Sequence, residues 1–179
     1  MVVEYGYAAD GTRLWKRVDQ NTNQVQIWIG NNYEEKNDTN GVHKVLFHVF
    51  AGGQQVCTFE PTSTLNGGGN TTNVGYYYHE DNLNSSCVLS GPVTPASQLE
   101  LDSYYPFGRN QTANPQTTLK VSRQFTGQVK DDETGLYYYN FRYYDPELGR
   151  FIQPDDRIPD LSNPQSYNRY SYCVNNPLR

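Results

Sequence analysis

The sequence contains little charge and no long apolar run. Charged residues make up 18% of the 179 positions, below the roughly one quarter that soluble domains usually carry. The net charge is −5 and no segment concentrates Lys or Arg, so a nucleic-acid partner is not expected, because phosphate binding needs a basic patch. No run of about 18 apolar residues is present, so the sequence predicts no membrane span. The first residues also lack the basic-then-apolar order of a signal peptide.

Cysteine and histidine are also scarce. The three cysteines, Cys57, Cys87 and Cys173, are odd in number and show no CxxC spacing, which argues against a disulfide framework. His43 and His48 fall on opposite faces of one predicted strand, so they do not indicate a shared metal site. The sequence therefore predicts no metal and no cofactor.

Tyrosine is the abundant residue. The chain has 16 tyrosines, and aromatic residues make up 14% of it. Hydrophobic residues reach only 36% and the mean hydropathy is −0.80, values that would indicate disorder if only aliphatic side chains formed cores. A tyrosine ring buries much as a phenylalanine ring does, while its hydroxyl keeps a hydrogen-bond partner. We therefore expect a folded chain with a tyrosine-rich, partly wet core.

Short segments with alternating apolar residues recur about every ten positions, with turn residues between them. In residues 24–29, for example, Val25, Ile27 and Ile29 share one face. Asn40-Gly41 is typical of a tight hairpin turn, because both residues tolerate positive φ. Strands are predicted at residues 13–18, 24–29, 43–50, 54–59, 74–80, 86–89, 98–104 and 136–144, with polar loops at residues 60–73 and 109–118.

The alternation is sharpest in residues 136–144. Tyr137, Tyr139, Phe141 and Tyr143 would lie on one face of a single strand, and we interpret them as a core stripe. A sugar-stacking platform is the less favoured interpretation, because aromatic stripes on a pleated face normally meet another layer. One short helix is expected within residues 163–172. The sequence thus predicts a mainly β fold of antiparallel hairpins with little helix.

Three segments share a pattern of Tyr, a short turn, Gly and a basic residue. Each is consistent with a strand end, a turn whose Gly supplies a positive φ, and a new strand. Recurrence of such a unit predicts an array in which each hairpin is covered by its neighbours. The motif residues are Tyr7, Gly11 and Arg13; Tyr105, Gly108 and Arg109; and Tyr144, Asp145, Pro146, Gly149 and Arg150.

The C-terminal third carries a more specific similarity. The stretch FTGQVKDDETGLYYYNFRYYDPELGRFIQPD at residues 125–155, with NRYSY at 168–172 and NNP at 175–177, resembles the core segment of the Rhs, or YD-repeat, family. That family includes bacterial Rhs toxins, the C components of insecticidal toxin complexes and, more distantly, teneurins. A weaker similarity covers YYYHEDNL at residues 76–83, where the next residue, Asn84, replaces the usual Gly and suggests an altered turn.

The resemblance implies both a fold and a function. Family members wind hairpins into a spiral β-sheet that closes a hollow shell, and the core segment plugs one end of it. A toxin polypeptide that follows the core is held inside until delivery. By resemblance, residues 1–118 would be a YD-repeat-like hairpin region and residues 119–179 an incomplete core segment, secreted or displayed at a cell surface.

In many family members the core is also an aspartyl autoprotease. Arg142 and Asp155 match the family's core Arg and its first catalytic Asp. The second Asp belongs to an Asp-Pro-x-Gly motif that is absent up to Arg179, and an aspartyl protease needs two carboxylates that share a proton. We therefore expect no self-cleavage by this chain, and we favour a buried ion pair over a vestigial site. Residues 130–135 resemble a cation-binding loop, but a solvated hairpin turn is favoured.

The favoured function is that of a structural wall and plug segment of a toxin-enclosing shell, without catalysis of its own. Its partners would be neighbouring repeats or further copies of the chain, and a C-terminal toxin polypeptide as cargo. One alternative is a self-assembling extracellular fibre or adhesion module that uses exposed strand edges. Another is an autoprotease completed by residues after Arg179.

Overall fold

The computed structural model describes residues 2–18, 24–37, 42–62, 72–91, 98–113 and 121–178. Across these residues the fold is mainly β, as predicted, and consists of two antiparallel sheets. The helical content of the same residues is limited to three 3-10 turns, Phe125–Gly127, Pro164–Tyr167 and Cys173–Asn175. The second of these turns lies where the sequence predicts a short helix. No helix in these ranges is long and apolar enough to cross a membrane.

The first sheet has ten strands, and their order in the sheet is their order in the chain. Every predicted strand before residue 105 is present, and three have the predicted bounds. The strands are β1 (Val3–Tyr7), β2 (Arg13–Val18), β3 (Gln24–Ile29), β4 (Tyr33–Asn37), β5 (His43–Ala51), β6 (Gln54–Thr62), β7 (Thr72–Glu80), β8 (Ser86–Ser90), β9 (Gln98–Tyr104) and β10 (Asn110–Ala113).

The second sheet is small and lies entirely in the C-terminal third. Its four strands also follow sequence order and pair antiparallel. They are β11 (Val129–Asp131), β12 (Leu136–Tyr139), β13 (Arg142–Asp145) and β14 (Arg150–Phe151).

Strands extend into both of the predicted polar loops. β6 extends to Thr62 and β7 begins at Thr72. The loop predicted at residues 109–118 is wrong over Asn110–Ala113, which form β10 because they continue the ladder along β9. Residues 63–71 and 114–120 lie outside the described residues, as do the predicted Asn40-Gly41 turn and the boundary predicted between residues 118 and 119.

The prediction of one strand over residues 136–144 is wrong. The chain reverses at Asn140 and Phe141, so β12 and β13 form a hairpin. Asn140 has φ 57°, a left-handed conformation that Asn tolerates better than most residues. The amide of Phe141 donates to the carbonyl of Tyr139 at 2.6 Å, which closes the turn.

The reversal also corrects the predicted core stripe. Tyr137 and Tyr139 lie in or against the core, as expected. Phe141 sits at the tip of the hairpin and is 81% exposed. Tyr143 pairs with Tyr138, so its side chain lies on the face opposite to those of Tyr137 and Tyr139. The core position predicted for Tyr143 is occupied by Tyr144.

Four turns in the structure share one hydrogen-bond pattern. The amide of the first residue donates to the carbonyl of the fifth, and the amide of the fourth donates to the carbonyl of the first. The turns begin at Ala8, Asp81, Tyr105 and Gln124, and their fourth residues have positive φ: Gly11 85°, Asn84 63°, Gly108 84° and Gly127 68°. Since Asn84 makes the same turn as the three glycines, the altered turn expected there is not observed.

The third predicted motif makes a different turn. The amide of Gly149 donates to the carbonyl of Asp145 at 2.8 Å, and the amide of Gly135 makes the same bond to Asp131 at 2.7 Å. Both segments read Asp-x-Glu-x-Gly, at residues 131–135 and 145–149. The small sheet is therefore built on two copies of one hairpin turn.

The large sheet buries its less apolar face. Val25, Ile27 and Ile29 do share a face, as predicted, but Ile29 on that face is 66% exposed, whereas Trp28 on the other face is only 7% exposed. The buried face packs against the C-terminal third, where Val121 joins Leu46, Tyr76 and Leu89 in one apolar cluster. Polar side chains therefore line the junction between the two parts of the fold.

The large sheet curls around the small one. Tyr137 and Tyr138 are adjacent in β12, so their side chains point to opposite faces. The hydroxyl of Tyr138 donates to the carbonyl of Gly11, in the β1–β2 turn, and that of Tyr137 to the carbonyl of Gly108, in the β9–β10 turn. In a flat sheet these turns would be about 38 Å apart, at about 4.8 Å per strand, far more than two tyrosine side chains span.

Gly108 offers a test of this close approach. A Cβ at Gly108 would lie 2.4 Å from the ring of Phe125, whereas a Cβ at Gly53 would meet nothing within 4 Å, and both glycines have φ near 85°. We expect Gly108→Ala to lower the free energy of unfolding by roughly 3 kcal/mol, from the positive φ and the clash together. Gly53→Ala should cost only about 1 kcal/mol, from φ alone. Urea unfolding followed by tryptophan fluorescence measures both, and equal losses would contradict the packing.

Candidate functional site: the junction between the two sheets

A buried ion pair joins the two sheets. Arg13 in β2 donates from its Nη1 to Oδ2 of Asp131, at the end of β11, at 2.6 Å. Both side chains are almost completely buried. Lys16 is three residues further along β2. Its Nζ lies 3.4 Å from the other carboxylate oxygen of Asp131 and 2.8 Å from the carboxylate of Glu133. The hairpin turn at residues 130–135 is therefore present as predicted, but its first Asp is not solvated.

Aromatic rings enclose the Arg13 guanidinium. Its Cζ lies 4.4 Å from the ring centroid of Trp28 in the large sheet and 4.4 Å from that of Tyr138 in the small one. Burial lowers the pKa of Arg13, and the neighbouring Asp131 more than offsets this effect and raises it. A cation placed between two aromatic faces gains stability from both, and more so where water is excluded. Arg13 therefore contacts both sheets through its charge and through its flat faces.

A second buried network surrounds Glu34 in β4. Its carboxylate makes four hydrogen bonds or ion pairs of 2.7 to 3.1 Å, with Lys36, Gln26, His48 and Ser122. Burial raises the pKa of Glu34, and the charge of Lys36 and the bond from His48 overcome this effect and hold it well below its usual range. Because Ser122 belongs to the C-terminal third, this network is a second polar contact between the two parts.

His48 extends this network across β5 and β6. Its Nε2 faces Glu34 at 3.1 Å and its Nδ1 faces the hydroxyl of Thr58 at 2.8 Å. The hydroxyl of Thr58 in turn donates to that of Tyr78, at 3.1 Å. The Glu34, His48 and Thr58 side chains of this series are buried, and their hydrogen bonds satisfy polar groups inside the junction.

The core of the small sheet is aromatic, as the composition predicts. Hydroxyl groups at its rim have hydrogen-bond partners. Tyr144 donates to the backbone carbonyl of Phe107 at 2.7 Å, and the hydroxyl of Tyr139 bonds to those of Tyr172 and Thr126. The rings meet edge-on or tilted, which is the arrangement that ring quadrupoles favour. The cluster consists of Phe125, Tyr137, Tyr144, Phe151 and Tyr172, with Tyr104, Phe107 and Tyr139 packed against it.

The predicted repeat-motif residues fall in two places. Those of the first motif meet the small sheet: besides Arg13, Tyr7 shares a hydrogen bond with Tyr143 at 2.6 Å. Those that follow the other turns stay at the surface, where Arg109 lies over Tyr105, with its Cζ 4.3 Å from the ring centroid, and Arg150 lies 6.0 Å from the ring of Tyr170. A function for the motif beyond its turns stays a prediction.

Arg142 and Asp155 form the ion pair that the sequence favours, at 3.0 Å. Their side chains are 24% and 34% exposed, so the pair is less buried than predicted. Arg142 also lies over the ring of Phe151, at 3.7 Å from its centroid. The backbone amide of Asp155 donates to the carbonyl of Arg169, and its carboxylate accepts from the amide of Arg157. The pair thereby ties the segment after β14 to the small sheet.

Within the described ranges, no group of three or more His, Cys, Asp or Glu side chains could hold a metal ion. Cys57, Cys87 and Cys173 are free thiols. Burial raises the pKa of Cys57 and Cys87, so neither thiol is activated as a nucleophile. The described part of the chain thus contains neither a metal-binding cluster nor an activated thiol.

Sequence analysis missed the charged residues at the junction. Glu34, Lys36 and Lys16 read as ordinary surface positions of amphipathic strands, since buried charges are rare. One signal was available: Lys44, Leu46 and His48 alternate with the apolar Val45, Phe47 and Val49, so β5 has two faces that could both be covered. The repeated Asp-x-Glu-x-Gly turn likewise marks Asp131.

The sequence is similar to those of several known proteins. No family model matches the chain. Salivary gland surface protein 1 of Aedes aegypti is 27% identical over 185 residues, covering 98% of this chain. Toxin subunit YenC2 of Yersinia entomophaga is 35% identical over 85 residues, covering 45%. A tRNA3(Ser)-specific nuclease, WapA of Bacillus spizizenii, is 26% identical over 176 residues, covering 97%.

Solved structures of toxin complexes contain a similar fold. The Photorhabdus luminescens Tc holotoxin pore matches 98% of this chain with a TM-score of 0.76 and 22% identity, and the TcdB2-TccC3 complex matches 98% with a TM-score of 0.75 and 23% identity. The resemblance to the Rhs family is confirmed. This chain spans 5 to 8% of the length of the three relatives and 8 to 9% of the two structures.

The buried ion pair between Arg13 and Asp131 predicts a strong effect of one substitution. Asp131→Asn leaves Arg13 buried beside a neutral group, so we expect the free energy of unfolding to fall by about 3–5 kcal/mol. Asp156→Asn, at an exposed position outside the two sheets, should change it by less than about 0.5 kcal/mol. Denaturant unfolding checks both variants. Similar values for the two would show that the Arg13 charge needs no partner.

The tyrosine core predicts a steep loss of stability in alkali. Burial raises the pKa of Tyr137, Tyr139 and Tyr144, and raises that of Tyr76 to about 12. Because an unfolded tyrosine titrates near pH 10, these phenols contribute stability that is complete below pH 10 and falls as the pH rises above it. Titration at 295 nm should show phenols that ionise only when near-UV circular dichroism is lost. Full ionisation of all 16 tyrosines in a chain that stays folded would contradict this.

Proposed function

We propose that this chain is a wall and plug segment of an Rhs-type β-shell that encloses a toxin polypeptide. The observation that carries the proposal is the curl of the ten-stranded sheet around the C-terminal third, through Gly11, Gly108 and the two tyrosines that reach them. A wall must curve to enclose a space, and a plug must be fixed to that wall. The confirmed resemblance to toxin subunits supports a toxin-associated role.

The junction chemistry supports the plug part of the proposal. The Arg13–Asp131 pair and the Glu34 network both join the large sheet to residues after 120. Ion pairs and hydrogen bonds hold two groups at a defined distance and angle, whereas apolar contacts allow two surfaces to slide past each other. A plug held in this way keeps a fixed position against the wall while a cargo lies beside it.

The two outer strands of the large sheet support an arrangement in a longer wall. β1 pairs with β2 alone and β10 with β9 alone among the described strands, so each presents an edge that another strand can extend. In the proposed shell, neighbouring repeats occupy these edges. The toxin relatives support action outside the producing cell.

The proposed role needs no catalysis by this chain. Arg142 and Asp155 are engaged with each other and with the segment after β14. The nuclease activity named for the WapA relative is a property of that protein, of which this chain matches 7%. An autoprotease completed by residues after Arg179 would need a second carboxylate beside Asp155.

A fibre or adhesion module is the second candidate, and the open edges of β1 and β10 favour it. Under this alternative the 179-residue chain would assemble by adding strands at those edges. Glu4→Pro, in the edge strand β1, would then abolish ordered assemblies, because proline removes a ladder donor.

Protection of a cargo tests the favoured function. In the product of the complete gene that contains this chain, limited proteolysis should leave a region after residue 179 resistant, and Asp131→Asn should expose it. Asp156→Asn is the matched control and should preserve the protection. If that region is digested as fast in the unaltered product as in Asp131→Asn, the shell is refuted. Fibres of the isolated chain that sediment would favour the adhesion module. A cleavage of the unaltered product that is lost in Asp155→Asn would favour the autoprotease.

A further inference from the structure

Four tyrosines from the two sheets meet where the sheets contact each other. Tyr5 and Tyr7 belong to β1 of the large sheet, and Tyr138 and Tyr143 belong to β12 and β13 of the small sheet. The ring centroids of Tyr5 and Tyr143 lie 5.7 Å apart, and those of Tyr7 and Tyr138 lie 6.5 Å apart. Tyr7 is 46% exposed, so this aromatic cluster, unlike the core of the small sheet, opens to solvent.

Two of these tyrosines are joined by their hydroxyl groups. The hydroxyl oxygens of Tyr7 and Tyr143 lie 2.6 Å apart, although the residues are 136 positions apart in the chain. When two tyrosines are joined at the ring carbons beside their hydroxyls (the ortho carbons), the product is o,o′-dityrosine, and its two hydroxyls are neighbours that hydrogen-bond to each other. The structure therefore holds the two oxygens as that product would. Because Tyr7 is exposed, its ring has room to turn towards that of Tyr143.

The surroundings of the pair favour loss of an electron and a proton together. Burial and the hydrogen bond to Tyr7 raise the pKa of Tyr143, so its phenol keeps its proton at neutral pH. A phenol that loses an electron becomes a strong acid and gives up this proton at once. The hydrogen bond lies at an exposed place, where water accepts the proton and an oxidant can approach.

We propose that Tyr7 and Tyr143 form a cross-linking site, at which a one-electron oxidant joins the two rings as o,o′-dityrosine. Each phenol gives one electron to the oxidant and its hydroxyl proton to water, which leaves two phenoxyl radicals. A carbon–carbon bond forms between one ortho carbon of each ring, and the hydrogen on each of these carbons moves to the phenol oxygen of the same ring. With hydrogen peroxide as the final oxidant, two tyrosines and one peroxide give one dityrosine and two waters.

The folded chain selects this pair over other tyrosines. Groups that are held together react far faster than groups that must meet by diffusion. Tyr139 and Tyr172 also share a hydroxyl hydrogen bond, at 3.2 Å, but Tyr172 is only 7% exposed and both rings pack in the aromatic core. Tyr167 is 55% exposed, but its hydroxyl donates to the carbonyl of Leu161 instead of meeting a phenol.

The cross-link would fasten the large sheet to the small one by a covalent bond between β1 and β13. It adds to the ion pair and hydrogen bonds that already join the two sheets. This inference needs only the contact between the sheets and does not depend on an enclosed cargo.

Oxidation of the purified chain by hydrogen peroxide and a haem peroxidase tests the site. Trypsin releases Tyr7 in the peptide of residues 1–13 and Tyr143 in that of residues 143–150. Mass spectrometry should find these two peptides joined, with a mass lower than their sum by two hydrogen atoms, and the product should show the blue fluorescence of dityrosine. Tyr7→Phe should abolish the joined peptide. Tyr167→Phe is the matched control and should leave its yield unchanged.

Oxidation in urea provides the second measurement, because the unfolded chain no longer holds the two phenols together. The joined peptide should then be lost from the unaltered chain as well. A folded chain that yields no joined peptide, or an equal yield in urea, would overturn the proposal. So would a joined peptide that persists in Tyr7→Phe, since Tyr5 lies in the same tryptic peptide and would then be the partner.

The cross-linked chain should also unfold at a higher urea concentration than the unoxidised chain. The new bond closes a loop between residues 136 positions apart and so restricts the unfolded state, as a disulfide does. An unchanged urea midpoint would show that the bond does not fasten the two sheets.

Discussion

The rest of this fold depends on the buried ion pair between Arg13 and Asp131. Arg13 and Asp131 are 118 positions apart in sequence and nearly inaccessible in the structure, and each would be costly to bury without the other. Trp28 from the large sheet and Tyr138 from the small one cover the two flat sides of the guanidinium. One side chain therefore contacts both sheets through an ion pair and through stacked rings.

The burial of polar groups explains why the amphipathic pattern of the large sheet is easy to misjudge. A half-buried sheet normally turns its apolar face inward, yet here Trp28, Leu46 and His48 face inward while Ile29 and Phe47 face outward. The inner face can be polar because Glu34 and its neighbours satisfy one another. The outer face carries exposed apolar side chains such as Ile29 and Phe47, so the two faces differ in the chemistry of their side chains.

Most strands could be predicted from sequence, because period-two alternation and turn residues are local signals. β2, β3 and β9 have the predicted bounds, and the glycines at 11 and 108 have the predicted positive φ. The predictions failed where tertiary contacts decide. The turn at Asn140 interrupts an alternation that looks continuous, β10 forms only because β9 offers an edge, and the charges of Glu34, Lys16 and Asp131 are buried by partners far away in the chain. No local pattern encodes such pairings.

The contacts between the first two strands and the small sheet bear on the order in which the molecule is made. Each hairpin of the large sheet closes between neighbours in sequence, so its strands can pair as they are synthesised. The curvature of the sheet, however, depends on Tyr137 and Tyr138, which are translated after all ten strands. A nascent chain that ends near residue 113 would therefore hold a sheet without its bend, with the Arg13 guanidinium and the Glu34 carboxylate still in water. Closure and dehydration of the inner face therefore both need the C-terminal third.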